Sequence, residues 1–337
     1  MTDLENWLNL RVEDPLEPDL PICDPHHHLW NRPNNRYLID DLLRDINSGH
    51  NIVNTVFVEC GAMYRDEGAD ALMPVGETEF VQSIADQCES RQQISTSIAA
   101  GIVSHANLAL GDNVVPVLEA HIAASGNRFR GIRHISAWHV NYEIGASRNK
   151  PAQGLLMDPN FRKGFAYLQQ YGLSFDAWLY HTQLREMVDL ARAFPEIQII
   201  LDHIGGPLGI GPYKGKRKEV FTEWQQSIEA LATCPNVAAK LGGVGMPSNG
   251  FNWHERDTPP SSMELAESMA PYFKFCIDKF GVERCMFESN FPVDKVSFSY
   301  SVMWNAFKYL SKDFSPDERA SLFYNTAAKV YRLTKDH

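Results

Sequence analysis

Residues 197–204 read IQIILDHI, an apolar run of strand-forming residues that ends in an aspartate and a histidine. Near-continuous apolar runs with β-branched residues are typical of strands that are buried on both faces, as in a parallel sheet. Seven other runs have the same character, and the full set is 21–28, 52–60, 94–103, 129–135, 173–180, 197–204, 237–244 and 284–291. The sequence therefore predicts eight buried parallel strands.

Segments with apolar residues at spacings of three and four lie between these runs, which is the period of an amphipathic helix. They are residues 80–92, 114–124, 159–170, 184–194, 220–232, 263–280 and 297–312, with a last helix over 315–332. Asp158 before Pro159 is a helix N-cap, and Ser315 with Glu318 matches a capping box. Eight strands alternating with helices predict an α/β fold of the (β/α)8 TIM-barrel type rather than an open sheet.

No internal repeat, linker or low-complexity tract interrupts this alternation. We therefore expect one domain over residues 21–337, a barrel with additional C-terminal helices. Residues 1–20 are expected to form an N-terminal arm outside the barrel.

The composition limits the class of protein and its partners. A hydrophobic content of 44% and a charged content of 22% are those of a soluble globular protein. The net charge of -11 argues against nucleic acid or an anionic membrane as the main partner. We also expect no signal sequence or membrane span, and the six cysteines without a C-x-x-C pair indicate reduced thiols in a cytoplasmic protein.

Polar and charged side chains gather where the predicted strands end. TIM-barrel enzymes place their active sites at the carboxyl ends of the strands and in the loops that follow. The residues at those ends are His26, His28, Glu59, Arg133, His134, Tyr180, His181, Asp202, His203, Lys240, Glu288, Asn290 and Asp294. Random placement would scatter them along the strands, so the clustering predicts an active site at this end of the barrel.

The motif DPHHH ends the first strand. Because side chains alternate along a strand, His26 and His28 share one face and His27 takes the other. Two imidazoles at this spacing can bind one divalent ion, and they equally suit a polar strand end with hydrogen-bonded histidines. His203 on the sixth strand is expected to join them, whereas Asp202 is expected to point away and to have a structural role.

Four motifs together resemble the amidohydrolase superfamily: DPHHHLW at strand one, a histidine after strand five, LDHIGGP at strand six and MFESNFPVD at strand eight. More narrowly, they resemble the predicted metal-dependent TIM-barrel hydrolases that include sugar-lactone hydrolases and 2-pyrone-4,6-dicarboxylate lactonase. The resemblance covers residues 20–333, nearly the whole chain. It is specific for the superfamily and leaves the substrate open.

The resemblance implies a hydrolase that opens a lactone, or a related cyclic ester or amide, by attack of water on the carbonyl. The substrate would be a small, acidic organic molecule, and a homo-oligomer is left open. The superfamily also hosts metal-dependent decarboxylases and hydratases of aromatic or unsaturated acids, which are the alternative function. The third possible function is that of a barrel that binds a ligand without catalysis.

By the same resemblance, His26, His28, His181 and His203 surround the catalytic centre, and one divalent ion, zinc or manganese, binds to His26, His28 and His203. The family's strand-eight aspartate matches Asn290 in this chain. An amide accepts no proton at neutral pH and is a poorer ligand for a hard cation. Three outcomes stay open: histidines alone hold the metal, another carboxylate supplies the base, or the site is metal-free.

Asp294 and Glu288 are the carboxylates that can replace the missing aspartate. Asp294 follows strand eight at the barrel mouth, where it also suits a turn or a helix cap. Glu288 lies deeper, and we interpret it first as a buried carboxylate paired with Lys240.

Four further side chains are predicted to bind substrate, and they are Arg130, Arg133, Tyr180 and Trp178. A guanidinium fork matches a carboxylate, and the aromatic rings suit a partly planar substrate. An ion pair with an acid on a neighbouring strand is the other interpretation of the arginines. The long loops over the barrel mouth add Tyr64 and His254 as further candidates for substrate contact.

Overall fold

Eight parallel strands form one sheet in the computed structural model, which describes residues 2–33, 35–141, 144 and 150–333. They are β1 (Pro21–His27), β2 (Asn51–Val58), β3 (Ser97–Ser104), β4 (Phe129–Arg133), β5 (Ser174–Ala177), β6 (Ile199–Leu201), β7 (Val237–Leu241) and β8 (Cys285–Phe287). Each strand pairs with the next one along the chain. This confirms the eight predicted strands and their parallel order.

The segment after β8 returns to β1 and nearly closes the sheet into a barrel. His27 forms a parallel bridge with Phe291. The backbone N–H of His28 donates to the carbonyl of Phe291 at 2.8 Å, and that of Asn290 donates to the carbonyl of His26 at 2.9 Å. The predicted (β/α)8 barrel is therefore confirmed.

The helices surround this barrel. They are α1 (Asp3–Leu8), α2 (Ile39–Ile46), α3 (Val75–Glu89), α4 (Val115–Ala124), α5 (Pro159–Gln170), α6 (Leu184–Ala193), α7 (Arg217–Ala232), α8 (Ser262–Phe280), α9 (Tyr300–Leu310), α10 (Pro316–Ala320) and α11 (Thr326–Val330). A short antiparallel hairpin, Trp30–Arg32 with Asn35–Tyr37, follows β1. The last predicted helix is divided, because a π-helical turn, Ser321–Asn325, separates α10 from α11.

The first twenty residues lie against the outer helices. The Lys308 ammonium on α9 donates to the carbonyls of Leu16 and Glu17 at 2.6 and 2.9 Å. Glu13 accepts from the backbone N–H of Ser262 at the start of α8 at 2.9 Å. These bonds attach residues 13–17 to α8 and α9.

The core has an inner and an outer apolar layer. Side chains of the strands fill the bottom of the barrel, among them Cys23, Val56, Val103 and Met286, which are all fully buried. The larger layer packs strands against helices, and the His27 ring lies in it, 5.9 Å from the ring of Phe57. His27 therefore faces the helices, as alternation predicts.

The strands end earlier than their apolar runs predict. β6 stops at Leu201, and the chain then turns through His203 and Ile204, whose φ angles are +54° and +51°. Asn290 after β8 also has a positive φ of +54°. Non-glycine residues rarely adopt this left-handed conformation. In the segments after β6 and β8, side chains therefore do not alternate between the two faces of the sheet as they do along a strand.

Six cysteines are buried and free. Among the helices of the described residues, none is both long and apolar enough to span a bilayer.

Candidate active site

His26 lies at the centre of a buried network of charged side chains at the carboxyl end of the barrel. Arg133 Nη1 donates to its Nε2 at 3.2 Å, and Glu288 Oε2 lies 2.8 Å from its Nδ1. Lys240 Nζ, 3.1 Å from the same Nδ1, is an electrostatic neighbour. Burial, together with Lys240, lowers the pKa of His26.

Glu288 joins two histidines, and its expected pairing with Lys240 is wrong. Its Oε1 accepts from the Nδ1 of His203 at 2.7 Å and from the His203 backbone N–H at 3.1 Å. Burial alone would raise the pKa of Glu288, but His203 and His26 hold it below its ordinary value. Lys240 instead contacts Asp176 at 2.7 Å, because both side chains point into the same level of the barrel.

Asp202 points into the barrel, which corrects the expectation that it would point away. Its Oδ1 lies 3.1 Å from Lys240 Nζ, and its Oδ2 accepts from Arg133 Nη1 at 3.5 Å. The expectation rested on strand alternation, but β6 ends at Leu201, before this residue. Asp202 and the left-handed His203 can therefore both face the interior.

Asn290 and Asp294 form a bonded pair beside this network. Asn290 Nδ2 donates to Asp294 Oδ1 at 2.8 Å, and the Gly245 backbone N–H donates to Asp294 Oδ2 at 2.9 Å. Asp294 is 1% exposed. Burial raises its pKa to about 7, against the opposing effect of these hydrogen bonds and of His203. A carboxyl group with this pKa can exchange a proton at neutral pH.

Three glycines after β7 let the chain approach the acidic residues and His203 closely. A Cβ at Gly242 would overlap Glu288, and one at Gly243 would overlap the ring of His203. A Cβ at Gly245 would lie 2.8 Å from the Asp294 side chain. The sequence KLGGVGMP therefore builds one wall of the site from backbone.

His28 has a fixed ring orientation beside His26. Its Nδ1 donates to the carbonyl of Val58 at 2.8 Å, which leaves the lone pair on Nε2. The two imidazole rings meet edge to face with centroids 4.9 Å apart. His28 can therefore accept a hydrogen bond or bind a metal ion through Nε2.

His181 lies outside the described contacts of this network. The backbone N–H of Leu208 donates to its Nδ1 at 3.3 Å, and its ring meets Tyr213 edge to face at 5.1 Å. Trp178 lies nearer, with its ring 4.8 Å from that of His203. The Tyr180 hydroxyl donates to the carbonyl of Ile144 at 2.8 Å, so this donor is used within the protein.

The two arginines predicted to bind substrate lie at opposite ends of β4. Arg130 is at the amino end of β4, where its Nη1 donates to the carbonyls of Asn127 and Phe129. Arg133 is 4% exposed and donates to the side chain and carbonyl of Glu59, to His26 and to Asp202. Arg133 does pair with acids, as the other interpretation expects, but these acids follow β2 and β6, which are each two strands away from β4.

Of the two loop candidates, His254 lies 3.8 Å from its neighbour Glu255, and its ring is partly exposed. Tyr64 lies in the loop between β2 and α3. The structure places neither within the described hydrogen bonds of the His26 network.

Asp176 and Tyr331 also belong to the network, and neither was predicted as a site residue. Tyr331 directly follows α11, and its hydroxyl donates to Asp176 Oδ2 at 2.6 Å. Asp176 was recognisable only as the one acid within the apolar run LSFDAWLY. Tyr331 reaches the barrel from its amino-terminal side, which no local pattern indicates.

The donor set fits a divalent ion. Among the described residues, His26, Asp202 and His203 offer ligand atoms within 4.8 Å of one another. Asp202 Oδ1 and Glu288 Oε2 are buried without an aligned hydrogen-bond donor in the described chain. Imidazole and carboxylate are the ligands that zinc and manganese prefer.

The charges of this interior also favour a bound cation. Among the described residues, Asp176, Asp202 and Glu288 are carboxylates of this interior, and Arg133 and Lys240 are the cations within ion-pair distance of Asp176 or Asp202. These described acids outnumber the described cations in a fully buried region, where unbalanced charge is costly. A divalent ion would reduce this imbalance.

Comparison with known proteins identifies the family. The model of a family described as Amidohydrolase matches residues 23–333. Protein y4mH of Sinorhizobium fredii is 36% identical over 94% of this chain and 99% of its own length. An L-fucono-1,5-lactonase of Burkholderia ambifaria is 26% identical over 81% of this chain and 88% of its own. An L-rhamnono-gamma-lactonase of Scheffersomyces stipitis is 22% identical over 93% and 98%.

Solved structures share the fold. An amidohydrolase from Burkholderia multivorans with bound zinc has a TM-score of 0.70 and 21% identity, covering 93% of this chain and 99% of its own. A structure from Pseudomonas putida named as a putative 2-pyrone-4,6-dicarboxylic acid hydrolase has a TM-score of 0.59 and 14% identity. The match covers 94% of this chain and 99% of that one. The barrel, its four motifs and the match over residues 23–333 agree: the chain belongs to the amidohydrolase family.

Proposed function

We propose that this protein is a hydrolase that opens the lactone ring of a small sugar-derived acid by attack of water on the carbonyl. The relatives named as lactonases support this activity. The observation that carries it is the pair of Asn290 and Asp294, which places a buried carboxyl group with a pKa of about 7 beside the histidine network.

Asp294 is assigned as the general base. A water molecule hydrogen-bonded to its carboxylate gives up a proton to it while the water oxygen forms a bond to the lactone carbonyl carbon. When the tetrahedral intermediate collapses, the bond from that carbon to the ring oxygen breaks. Asp294 then returns the proton to this oxygen, so the products are a hydroxyl and a carboxylic acid that ionises.

Asn290 positions the base instead of replacing it. Its amide donates to one carboxylate oxygen of Asp294, and the backbone of Gly245 donates to the other. These two bonds fix the plane of the carboxylate while each oxygen keeps a further lone pair for the water. The His28 Nε2 lone pair is assigned to orient the water, since its Nδ1 is held by Val58.

His26, Asp202 and His203 are the residues that would hold a divalent ion, as the donor set and the charge balance indicate. His28 stays outside this group, which differs from the ligand set of His26, His28 and His203 that the resemblance implies. When bound, zinc or manganese would act as a Lewis acid on the carbonyl oxygen. Glu288 orients two of the ligands by accepting from His203 and facing the Nδ1 of His26.

We further propose that residues 21–337 form a single catalytic domain with residues 1–20 as its arm, and that the enzyme works in the cytoplasm on a free small molecule. The free, buried state of all six cysteines supports a reducing compartment. The net charge of -11 supports a function without nucleic acid or anionic membrane.

The direct test is acid release from a panel of aldonolactones, including L-fucono-1,5-lactone and L-rhamnono-1,4-lactone, followed with a pH indicator. We expect turnover above spontaneous hydrolysis for at least one lactone, and loss of most of it in Asp294→Asn. Release of CO2 from an aromatic or unsaturated acid, with no lactone opened, would favour a decarboxylase instead. Equal rates for the wild-type protein and Asp294→Asn would exclude the assigned base.

A further inference from the structure

Two side-chain cations contact the ligand atoms of the proposed ion site. Lys240 Nζ lies 3.1 Å from Asp202 Oδ1 and 3.1 Å from His26 Nδ1. Arg133 Nη1 lies 3.5 Å from Asp202 Oδ2 and 3.2 Å from His26 Nε2. Both oxygens of the aspartate and both nitrogens of the histidine therefore have a positive charge within 3.5 Å.

The two cations differ in how firmly other groups hold them. Arg133 donates to the side chain and to the backbone carbonyl of Glu59, which anchor its guanidinium group after β2. Lys240 has one other carboxylate within ion-pair distance among the described residues, and it is Asp176, whose Oδ2 lies 2.7 Å from Nζ. The ammonium group is therefore shared between Asp202, which is a ligand of the proposed ion, and Asp176, which is not.

Asp176 can hold this ammonium group without Asp202. The Tyr331 hydroxyl donates to Asp176 Oδ2 at 2.6 Å, and Asp176 Oδ1 is buried without a hydrogen-bond partner in the described part of the chain. Because the stem of a lysine is flexible, Lys240 Nζ can withdraw from Asp202 toward this free oxygen. The interior thus offers the ammonium group two positions, and in both of them it faces a carboxylate.

The charges of the site make the ammonium group and a divalent ion compete. Like charges repel strongly at a buried position, where the effective dielectric constant is low and dissolved salt screens little. Asp202 is fully buried, so its negative charge needs a cation nearby. A divalent ion at Asp202 repels Lys240, and this repulsion falls once the ammonium group has withdrawn to Asp176. Binding of the ion therefore includes the cost of displacing the ammonium group.

We propose that Lys240 is a built-in competitor of the divalent ion, because it neutralises Asp202 in the metal-free protein and withdraws to Asp176 when the ion binds. The proposal rests on the proposed function, to which the ion site belongs, and adds what controls the affinity of that site. Asp176 and Tyr331 are positioning residues, since they act on the ion through Lys240. The metal-free barrel keeps Asp202 paired, and the ion binds more weakly than it would to the same ligands without the lysine.

The test measures the zinc affinity of the metal-depleted protein, without substrate, by competition with a chromogenic chelator. The variant combines Lys240→Met with Asp176→Asn, which removes one positive and one negative charge and leaves the total charge unchanged. The new amide oxygen can still accept from Tyr331. We expect the Kd for zinc to fall about 10- to 100-fold, which is the size of effect that outer neighbours of metal ligands have on affinity.

Two single variants make the result specific to Lys240. Asp176→Asn alone keeps the ammonium group but removes the carboxylate to which it withdraws, so zinc should bind about 10-fold more weakly than to the wild type. Adding Lys240→Met should reverse this loss and give tighter binding than in the wild type. Lys308→Met is the control, because Lys308 is also buried but lies on α9, where it donates to the carbonyls of Leu16 and Glu17. Its Kd for zinc should equal that of the wild type.

The zinc affinity of the double variant decides the proposal. A Kd equal to or higher than that of the wild type would overturn it, and so would the same gain in affinity in Lys308→Met. Lys240→Gln with Asp176→Asn, which keeps a hydrogen-bond donor at position 240, provides the same measurement if the methionine variant does not fold.

The measurement also separates this proposal from the proposed function, because it involves no turnover. Tighter zinc binding in the double variant would support the competitor role of Lys240 even if the protein opens no lactone. Unchanged binding would refute this role even if lactones are hydrolysed. Absence of zinc binding in both the wild type and the double variant would refute the competitor role together with the ion site.

Discussion

Replacing Asp294 with asparagine should stabilise the protein at neutral pH while removing most of its activity. The side chains have nearly the same shape, and Asn290 can turn its amide so that its oxygen accepts from the new amide. The carbonyl oxygen of the new asparagine can still accept from Gly245. The main change is therefore the loss of a buried group that titrates.

The size of the effect follows from the pKa of Asp294, which burial raises from an ordinary 3.8 to about 7. Since the folded-state pKa is the higher one, the folded protein holds the proton more tightly than the unfolded chain. The resulting stability is fully present below about pH 4 and is lost as the pH rises to about 7. The loss amounts to about 4 kcal/mol.

Asp294→Asn keeps this stability, because an amide does not ionise. We expect its free energy of unfolding to match that of the wild-type protein near pH 4 and to exceed it by up to about 4 kcal/mol above pH 7. Urea unfolding followed by circular dichroism between pH 4 and pH 8 measures the difference. Asp313→Asn, at an exposed site, should give a curve parallel to that of the wild type.

Activity should move in the opposite direction in the same variant. Loss of a general base costs about 100- to 10,000-fold in rate. In the wild type, kcat/KM should fall tenfold per pH unit below about pH 7, because Asp294 must be ionised to accept a proton. A variant that is both unchanged in stability at pH 8 and fully active would refute the assigned environment and role of Asp294.

Two further substitutions and the addition of zinc test other parts of the site. Asn290→Asp places a second carboxylate against Asp294 and should raise the pH midpoint of kcat/KM by one unit or more, whereas an unchanged midpoint would contradict the contact. Gly243→Ala should lower stability by more than Gly172→Ala, because both glycines have a positive φ but only a Cβ at Gly243 would meet the ring of His203; equal losses of unfolding free energy would show that the space is not limiting. Addition of zinc to metal-depleted protein should raise the melting temperature, with a smaller rise in His203→Asn, and no rise for the wild type would argue against the ion site.

The barrel was predictable because its signal is distributed over the whole chain. Eight apolar runs with helical segments between them specify alternating buried strands and outer helices, so errors at single ends do not change the result. The strands themselves are shorter than predicted, as at β6, which stops at Leu201. The polar residues after it have left the sheet, although the apolar pattern continues to Ile204.

The sequence predicted most of the residues that form the site, but not which of them contact each other. Strand alternation correctly separated His26 and His28 from His27, since all three precede or adjoin the end of β1. The same rule gave the wrong direction for Asp202, which lies beyond the end of β6. Contacts such as that of Glu288 with two histidines depend on how distant strands align around the barrel, which a single sequence does not specify.

The replacement of the family's aspartate by Asn290 was the most informative single feature. The sequence showed that an amide stands at this position and that Asp294 follows four residues later. The structure adds that the two side chains share a hydrogen bond of 2.8 Å. The glycines at 243 and 245, which lie against His203 and Asp294, were visible in the sequence but carried no indication of what they approach.

The central claim is that water activated by Asp294 attacks a lactone carbonyl, and hydrolysis in ¹⁸O-labelled water tests it most directly. The lactone is whichever aldonolactone the protein opens fastest, at pH 7 and over a short time course that outpaces spontaneous opening. We predict one ¹⁸O atom in the new carboxylate, none in the released hydroxyl, and a rate at least 100-fold lower in Asp294→Asn. Label in the hydroxyl, or an undiminished rate in Asp294→Asn, would contradict the mechanism.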